Sequence, residues 1–243
     1  MTTVTETLTS TRRVLHGIAE HVLAAHQRRV TGSIRLEVRD GALSTADLPT
    51  GPDHPGLPGY AGHPGHADHP GHAASRLELR SGYLIRHPDG LVVPVRGTFT
   101  ELTDELGVEF GMPDPPYAPA SGCGPDTVAW LDPAATALIE DAWRLGHRAL
   151  RRLSGQQPVV WPEHLDVAIT LEGVNFGVSP GDSYLEQPYA YVGPHTPRAG
   201  DFWNAPFGAA RTLTELASWR GPGDGADAVL AFFSQGQALA TEG

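Results

Sequence analysis

The chain has 243 residues, 28 of them acidic, and a formal net charge of −11; its 17 basic side chains are all arginine. That balance excludes a nucleic-acid-binding face, which needs clustered cations against phosphates, and the lack of lysine excludes P-loop, Schiff-base and lysine general-base chemistry. Cys123 is the single cysteine, so neither an internal disulfide nor a multi-cysteine zinc centre can form.

Hydrophobic content of 40% with 19% charged residues suits a globular chain long enough to bury a core. No run reaches the roughly 18 apolar residues of a membrane span, and the N-terminus lacks the apolar stretch of a signal peptide. The expectation is a cytoplasmic protein with no membrane or nucleic-acid partner, forming one domain over residues 1–243.

Residues 10–29 read as a helix, with Val14, Leu15, Ile18, Val22 and Leu23 at helical spacing and Gly32 placed to end it. His16, His21 and His26 recur every five residues, each turned about 140° from the last, so they cannot share a face; they are expected as partly exposed surface histidines. Ile34, Leu36 and Val38 then alternate with Arg35, Glu37 and Arg39 as a half-buried strand, ending in the turn dipeptide Asp40-Gly41. A second strand follows at 42–45.

Residues 49–74 break the pattern. The density of Gly and Pro excludes helix and strand, and His-Pro-Gly-His occurs twice, placing His63, His66, His69 and His72 in an expected disordered loop that could chelate a metal ion loosely. Strand patterns resume at Leu77 and run to Val95, with a turn at His87-Pro88-Asp89-Gly90 that places His87 at a hairpin tip. Thr98 or Thr100 caps a short helix closed by Gly107. After a Pro/Gly-rich loop, Asp132-Pro133 opens a long helix that Gly155 closes. Ala134, Ala137, Leu138, Ala142, Leu145, Ala149 and Leu153 are its expected inner face, and Arg144, Arg148, Arg151 and Arg152 its solvated one. A last helix covers about 226–240. This order predicts an α+β fold with a largely antiparallel sheet covered by two or three helices.

The chemistry-bearing residues concentrate between Trp161 and Asn204. Residues 165–171, 174–178 and 189–192 read as a three-stranded meander, with Tyr189 and Tyr191 on one face, Glu163, His164 and Asp166 at one entrance and His195 at the far exit. Two readings follow. In the first, Trp161, Asn175, Asp182, Tyr184, Tyr189, Tyr191, Trp203 and Asn204 line a pocket for a small polar ligand. In the second, Glu163, His164, Asp166 and His195 hold zinc or iron, with His164 and Asp166 paired on one strand face, as in a metal-dependent enzyme acting on a small molecule. A serine hydrolase fits poorly, since Ser179 and Ser183 flank a turn without an obvious base. The sequence does not decide whether the protein is an enzyme, nor its oligomeric state.

The segments WPEHLDVAIT, VNFGVSPGD, QPYAYVGP and DFWNAPFGA resemble the recurring motifs of a family of uncharacterised actinobacterial proteins of similar length, a domain of unknown function. The resemblance covers most of the chain outside residues 49–74. It implies that Trp161, Pro162, Glu163, His164, Asp166, Asn175, Gly177, Pro180, Gly181, Asp182, Pro188, Tyr189, Tyr191, Trp203 and Asn204 match those motifs. It implies no activity. The expected function is therefore the binding of a small polar ligand or metal ion in a site built from residues 161–204.

Overall fold

The computed structural model describes residues 4–49, 75–220 and 225–241. The His-rich segment, with His63, His66, His69 and His72, lies outside the described residues. Helix α1 (Val4–Ile18) runs through a π-helical turn (Ala19–Ala24) into α2 (Ala25–Thr31), which ends on Gly32 in the left-handed region at φ 76°. The helix thus starts earlier than the apolar pattern alone suggests. Strands β1 (Glu37–Arg39), β2 (Ala42–Ser44), β3 (Arg76–Arg80), β4 (Tyr83–His87) and β5 (Leu91–Pro94) follow, then α3 (Phe99–Leu106). Thr98 caps α3 through a reciprocal capping box with Glu101. Helix α4 (Pro133–Ser154) has Asp132 as its cap, Pro133 in its first turn and Gly155 at its end. The second set of strands is β6 (Val159–Trp161), β7 (Asp166–Leu171), β8 (Val174–Ser179), β9 (Tyr189–Pro194) and β10 (Ala209–Thr212), closed by α5 (Leu213–Arg220) and α6 (Gly225–Thr241).

Both strand sets are antiparallel meanders, in the orders β1-β2-β3-β4-β5 and β10-β9-β8-β7-β6. They meet edge to edge where Leu36 and Val160 exchange backbone hydrogen bonds of 3.1 and 2.8 Å. The expected α+β class is therefore what the chain forms, with two joined sheets in place of one. A continuous apolar core runs from α1 through both sheets to α6.

Helix α4 packs against the second sheet, but on a different face from the one the leucine pattern suggests. Ile139, Trp143, Gly146 and Leu150 are buried beside Ala142 and Ala149, whereas Leu138 is 48% exposed. Trp143 sets the orientation: its bulk fills the core while its Nε1–H donates to the Leu165 carbonyl at 3.0 Å. Gly146 permits the close approach, since a Cβ there would stand 2.7 Å from Val167 Cγ1. The arginines lie on the outer side as expected, with Arg144 paired to Asp141 and Arg152 to Asp227.

Of the histidines of the first helix, His16 and His26 are partly exposed as expected, whereas His21 is buried. The loop after α3 folds back over the π-helical turn: Gly111 N–H donates to the His21 carbonyl at 2.9 Å, and Phe110 stacks on the His21 ring at 4.8 Å. Burial lowers the pKa of all three imidazoles, that of His26 to about 4, where Arg29 and Arg86 add to the effect.

The first sheet's face opposite the core is held by ion pairs. Glu78, only 5% exposed, meets Arg80 at 2.6 Å, Arg76 at 3.3 Å and His87 at 3.5 Å. His87, the last residue of β4, thus turns its ring back onto the sheet. Arg39 bridges Glu37 and Asp47 on the same network.

Candidate functional site

One end of the second sheet opens into a cleft of about 900 Å³, within the usual size for a small-molecule site. Its floor is made by β9, where Tyr189 and Tyr191 fall on one face because side chains alternate along a strand. Ser179, the last residue of β8, pairs with Tyr189, and Gly177 pairs with Tyr191. A Cβ at Gly177 would lie 2.5 Å from the Tyr191 hydroxyl oxygen, so only glycine lets that ring cross β8. The far wall is α1, contributing Thr9, Arg12, Arg13 and His16 at the spacing of one helix face. The turn at 162–165 brings Glu163 and His164 to the rim, and Phe207 forms the lip.

Two tyrosine–aspartate pairs stand side by side on the floor. The Tyr189 hydroxyl donates to Asp182 Oδ2 at 2.6 Å, while Asp182 Oδ1 accepts the backbone N–H groups of Tyr184 and Leu185. Asp182 is thereby satisfied and shapes its own turn. The Tyr191 hydroxyl donates to Asp166 Oδ2, but Oδ1 of that buried carboxyl has no hydrogen-bond partner among the described residues. Burial holds Asp166 above the usual carboxylate range, and Glu163 adds to this, against the opposing pull of the Tyr191 hydroxyl and His164. Burial likewise raises the Tyr191 and Tyr189 hydroxyls, so neither ionises near neutral pH.

Glu163 Oε2, His16 Nε2 and the Tyr117 hydroxyl are also buried and make no hydrogen bond among the described residues. His16 Nε2 stands 3.5 Å from Glu20 Oε1, and burial outweighs Glu20 and the Pro162 carbonyl in lowering its pKa. Glu20 is itself held by the backbone N–H groups of Ala120 and Ser121, at 2.8 and 3.0 Å. The two arginines are turned to the protein: Arg12 Nη1 donates to the Glu186 carbonyl, and Arg13 to those of Ser121 and Gly122.

Of the residues expected to bind a ligand, Asp182, Tyr189 and Tyr191 line the cleft. Tyr184 stands at its edge, its ring 5.1 Å from that of Phe207. The others are elsewhere. Trp161 lies at the junction of the sheets beneath the Arg35 guanidinium, at 5.3 Å. Asn204 clamps the Ala210 backbone through both ends of its amide, and Trp203 packs edge-on against Phe202. Asn175 is at the opposite end of the sheet, bonded to Thr170 and His195.

The expected metal set is divided by the same geometry. Glu163, His164 and Asp166 are at the cleft, but His195 shares the far end with Asn175, about 13 Å along the strands from Asp166 at the usual rise per residue. Strand β7 begins only at Asp166, because Leu165 takes a left-handed φ of 59°; His164 is in the turn and not on a strand face beside Asp166. Among the described residues, no three His, Cys, Asp or Glu side chains are placed to hold a metal ion. Cys123 is buried, its Sγ within reach of the Arg13 carbonyl, in the setting of a core residue.

Among the lining residues that sequence reading missed are Thr9, Arg12, Arg13, His16, Ser121 and Phe207. Thr9, Arg12 and His16 carry a polar stripe at helical spacing, a signal present in the sequence beside the apolar one. No protein-family model matches this chain, and no curated protein or solved structure matches it.

Proposed function

We propose that the protein binds a small polar molecule in the cleft between α1 and the Tyr189–Tyr191 face of β9. The observation that carries this reading is that two residues lining the cleft, Asp166 and Glu163, each keep a buried carboxylate oxygen with no hydrogen-bond partner among the described residues. A buried polar atom left without a hydrogen bond costs about 1–3 kcal/mol, so two at one cleft favour a bound molecule that restores those interactions. Aromatic side chains supply the apolar contact area, with Tyr189, Tyr191 and Phe207 packed in a row at 6.2–6.3 Å between successive ring centroids.

A fragment set containing cationic, neutral and anionic polar molecules, followed by amide chemical shifts, tests this directly. Saturable shifts centred on residues 163–166, 179–191 and the Arg12–His16 face of α1 are expected. Ser183, exposed on the cleft lining, offers the control. Ser183→Trp fills the mouth and abolishes those shifts without lowering the melting temperature. Fragments that perturb only other surfaces, or bind the Ser183→Trp variant as well as the wild type, overturn the reading.

A further inference from the structure

The cleft offers hydrogen-bonding groups of both kinds, and on different sides. On the side of the second sheet and the turn before β7, Asp166, only 6% exposed, and Glu163 each keep a carboxyl oxygen that no described residue meets. Among the described residues no three His, Cys, Asp or Glu side chains come together, so these oxygens are separate stations and not parts of one ion site. On the side of α1 are donors. Arg12 directs N–H groups to the Glu186 carbonyl and to Thr9, and Arg13 to the carbonyls of Ser121 and Gly122. A guanidinium carries more N–H groups than these bonds use, so both arginines bring donors to the lining. Asp182 and Glu186 lie close enough to Arg12 to offset its charge. At the mouth, Phe207 and Tyr184 stay 39% and 40% exposed, and the Phe207 ring continues to that of Tyr191 at 6.2 Å.

We infer that the ligand is a neutral polyhydroxylated ring, of the pyranose or cyclitol class, whose separate hydroxyls pair with Asp166, Glu163 and the α1 arginines while its C–H face lies against Phe207 and Tyr191. A hydroxyl both donates and accepts, and hydroxyls set around a ring reach stations that lie apart. An ammonium supplies donors only and a carboxylate acceptors only, so either leaves one side of the cleft unmet. A hydroxyl also suits Asp166 in both protonation states, accepting from the acid or donating to the carboxylate. Burial favours the acid. The faces of aromatic rings are electron-rich, and attract the polarised C–H groups of such a ring. This inference rests on the cleft being a ligand site.

The test titrates the full chain with probes of one ring size, read by amide shifts. Methyl β-D-glucopyranoside, methyl β-D-galactopyranoside and myo-inositol present several hydroxyls, and tetrahydropyran-2-methanol presents one. Cyclohexanecarboxamide, cyclohexylammonium and cyclohexanecarboxylate present a single amide, cation or anion. At least one polyol is expected to saturate shifts at residues 163–166 and at Arg12 and Arg13, about tenfold or more tighter than every single-group probe, as added hydrogen bonds allow. Asp166→Ala and Glu163→Ala should each weaken that polyol by about tenfold. Asp166→Asn and Glu163→Gln keep a hydrogen-bonding group without charge, and should stay within about threefold of the wild type. The Glu163 pair keeps the test valid if an Asp166 variant does not fold. Equal or tighter binding of a single-group probe overturns the polyol assignment and leaves the cleft standing. Unchanged affinity in the alanine variants, or equal losses in the amide and alanine variants, also overturns it. So does failure of every polyol to saturate at hundreds of millimolar; binding of other fragments at the same residues then shows whether the cleft itself survives.

Discussion

The two five-stranded sheets share a topology and differ in what they do with their polar faces. Each meander follows a helix, and the order is symmetrical about the β1–β6 junction. On the first sheet, carboxylates meet cations: Glu78 is ringed by Arg76, Arg80 and His87, and Arg39 joins Glu37 to Asp47. On the second, Asp166 and Glu163 keep oxygens that nothing among the described residues satisfies. The same scaffold therefore carries one face closed on itself and one left open. Removing one member of a closed network strands its partners, whereas an open face carries an unmet cost already in the folded chain; on the reading proposed above, a ligand offsets that cost.

Four experiments sharpen or break this contrast. The largest effect is expected on the closed face: Glu78→Ala leaves two arginines and a histidine without their shared carboxylate, and should cost about 3 kcal/mol in urea unfolding. A loss below about 1 kcal/mol would mean that the network is no more than surface decoration. Next is the helix that feeds this sheet. The folded pKa of His26, about 4, lies below its ordinary 6.5, so the unfolded chain binds the extra proton between those values. Stability present above pH 6.5 is then lost as pH falls towards 4, by roughly 2–3 kcal/mol from this residue. His26→Gln should flatten that acid limb; an unchanged slope would show the imidazole to be solvated.

On the open face, Gly177→Ala pushes a methyl group into the Tyr191 ring and is expected to cost about 2 kcal/mol, together with all fragment binding at the cleft. Retained binding would dissociate Tyr191 from the site. The smallest effect, and the most telling, is that of Asp166→Asn. The folded carboxyl titrates above its ordinary 3.8, so the native state binds the proton more tightly and loses stability as pH rises through that window. The asparagine variant should therefore gain on the wild type as pH rises above the ordinary carboxylate value, as expected when a buried unpaired charge is removed. A difference that stays flat with pH would place Asp166 in a satisfied network like that of Glu78.

Local signals make the fold legible. The alternation of β3, the Thr98 and Asp132 caps and the Asp40-Gly41 turn each depend on a few neighbouring residues, and each forms as the sequence predicts. The face of α4 does not, because Trp143 and its bond to Leu165 outweigh a stripe of leucines and alanines. The cleft is legible where it is contiguous, in Asp166, Asp182, Tyr189 and Tyr191. Nearness in sequence misleads for Asn175 and His195, since a six-residue strand carries its two ends to opposite sides of the sheet. It also hides Arg12 and His16, which reach the cleft from the polar side of α1, away from its apolar stripe.

The cleft is a shared possession. Its far wall comes from α1, at the beginning of the chain, and its floor from β8 and β9, beyond residue 170. Between the sheets themselves the backbone seam among the described residues is a single residue pair, Leu36 with Val160. A molecule seated there touches both sides of that seam, and so acts as a rivet between the two halves. Cutting the chain in the exposed loop near Pro119 would turn occupancy into assembly: the two pieces would find each other more readily with the cleft filled than with it empty.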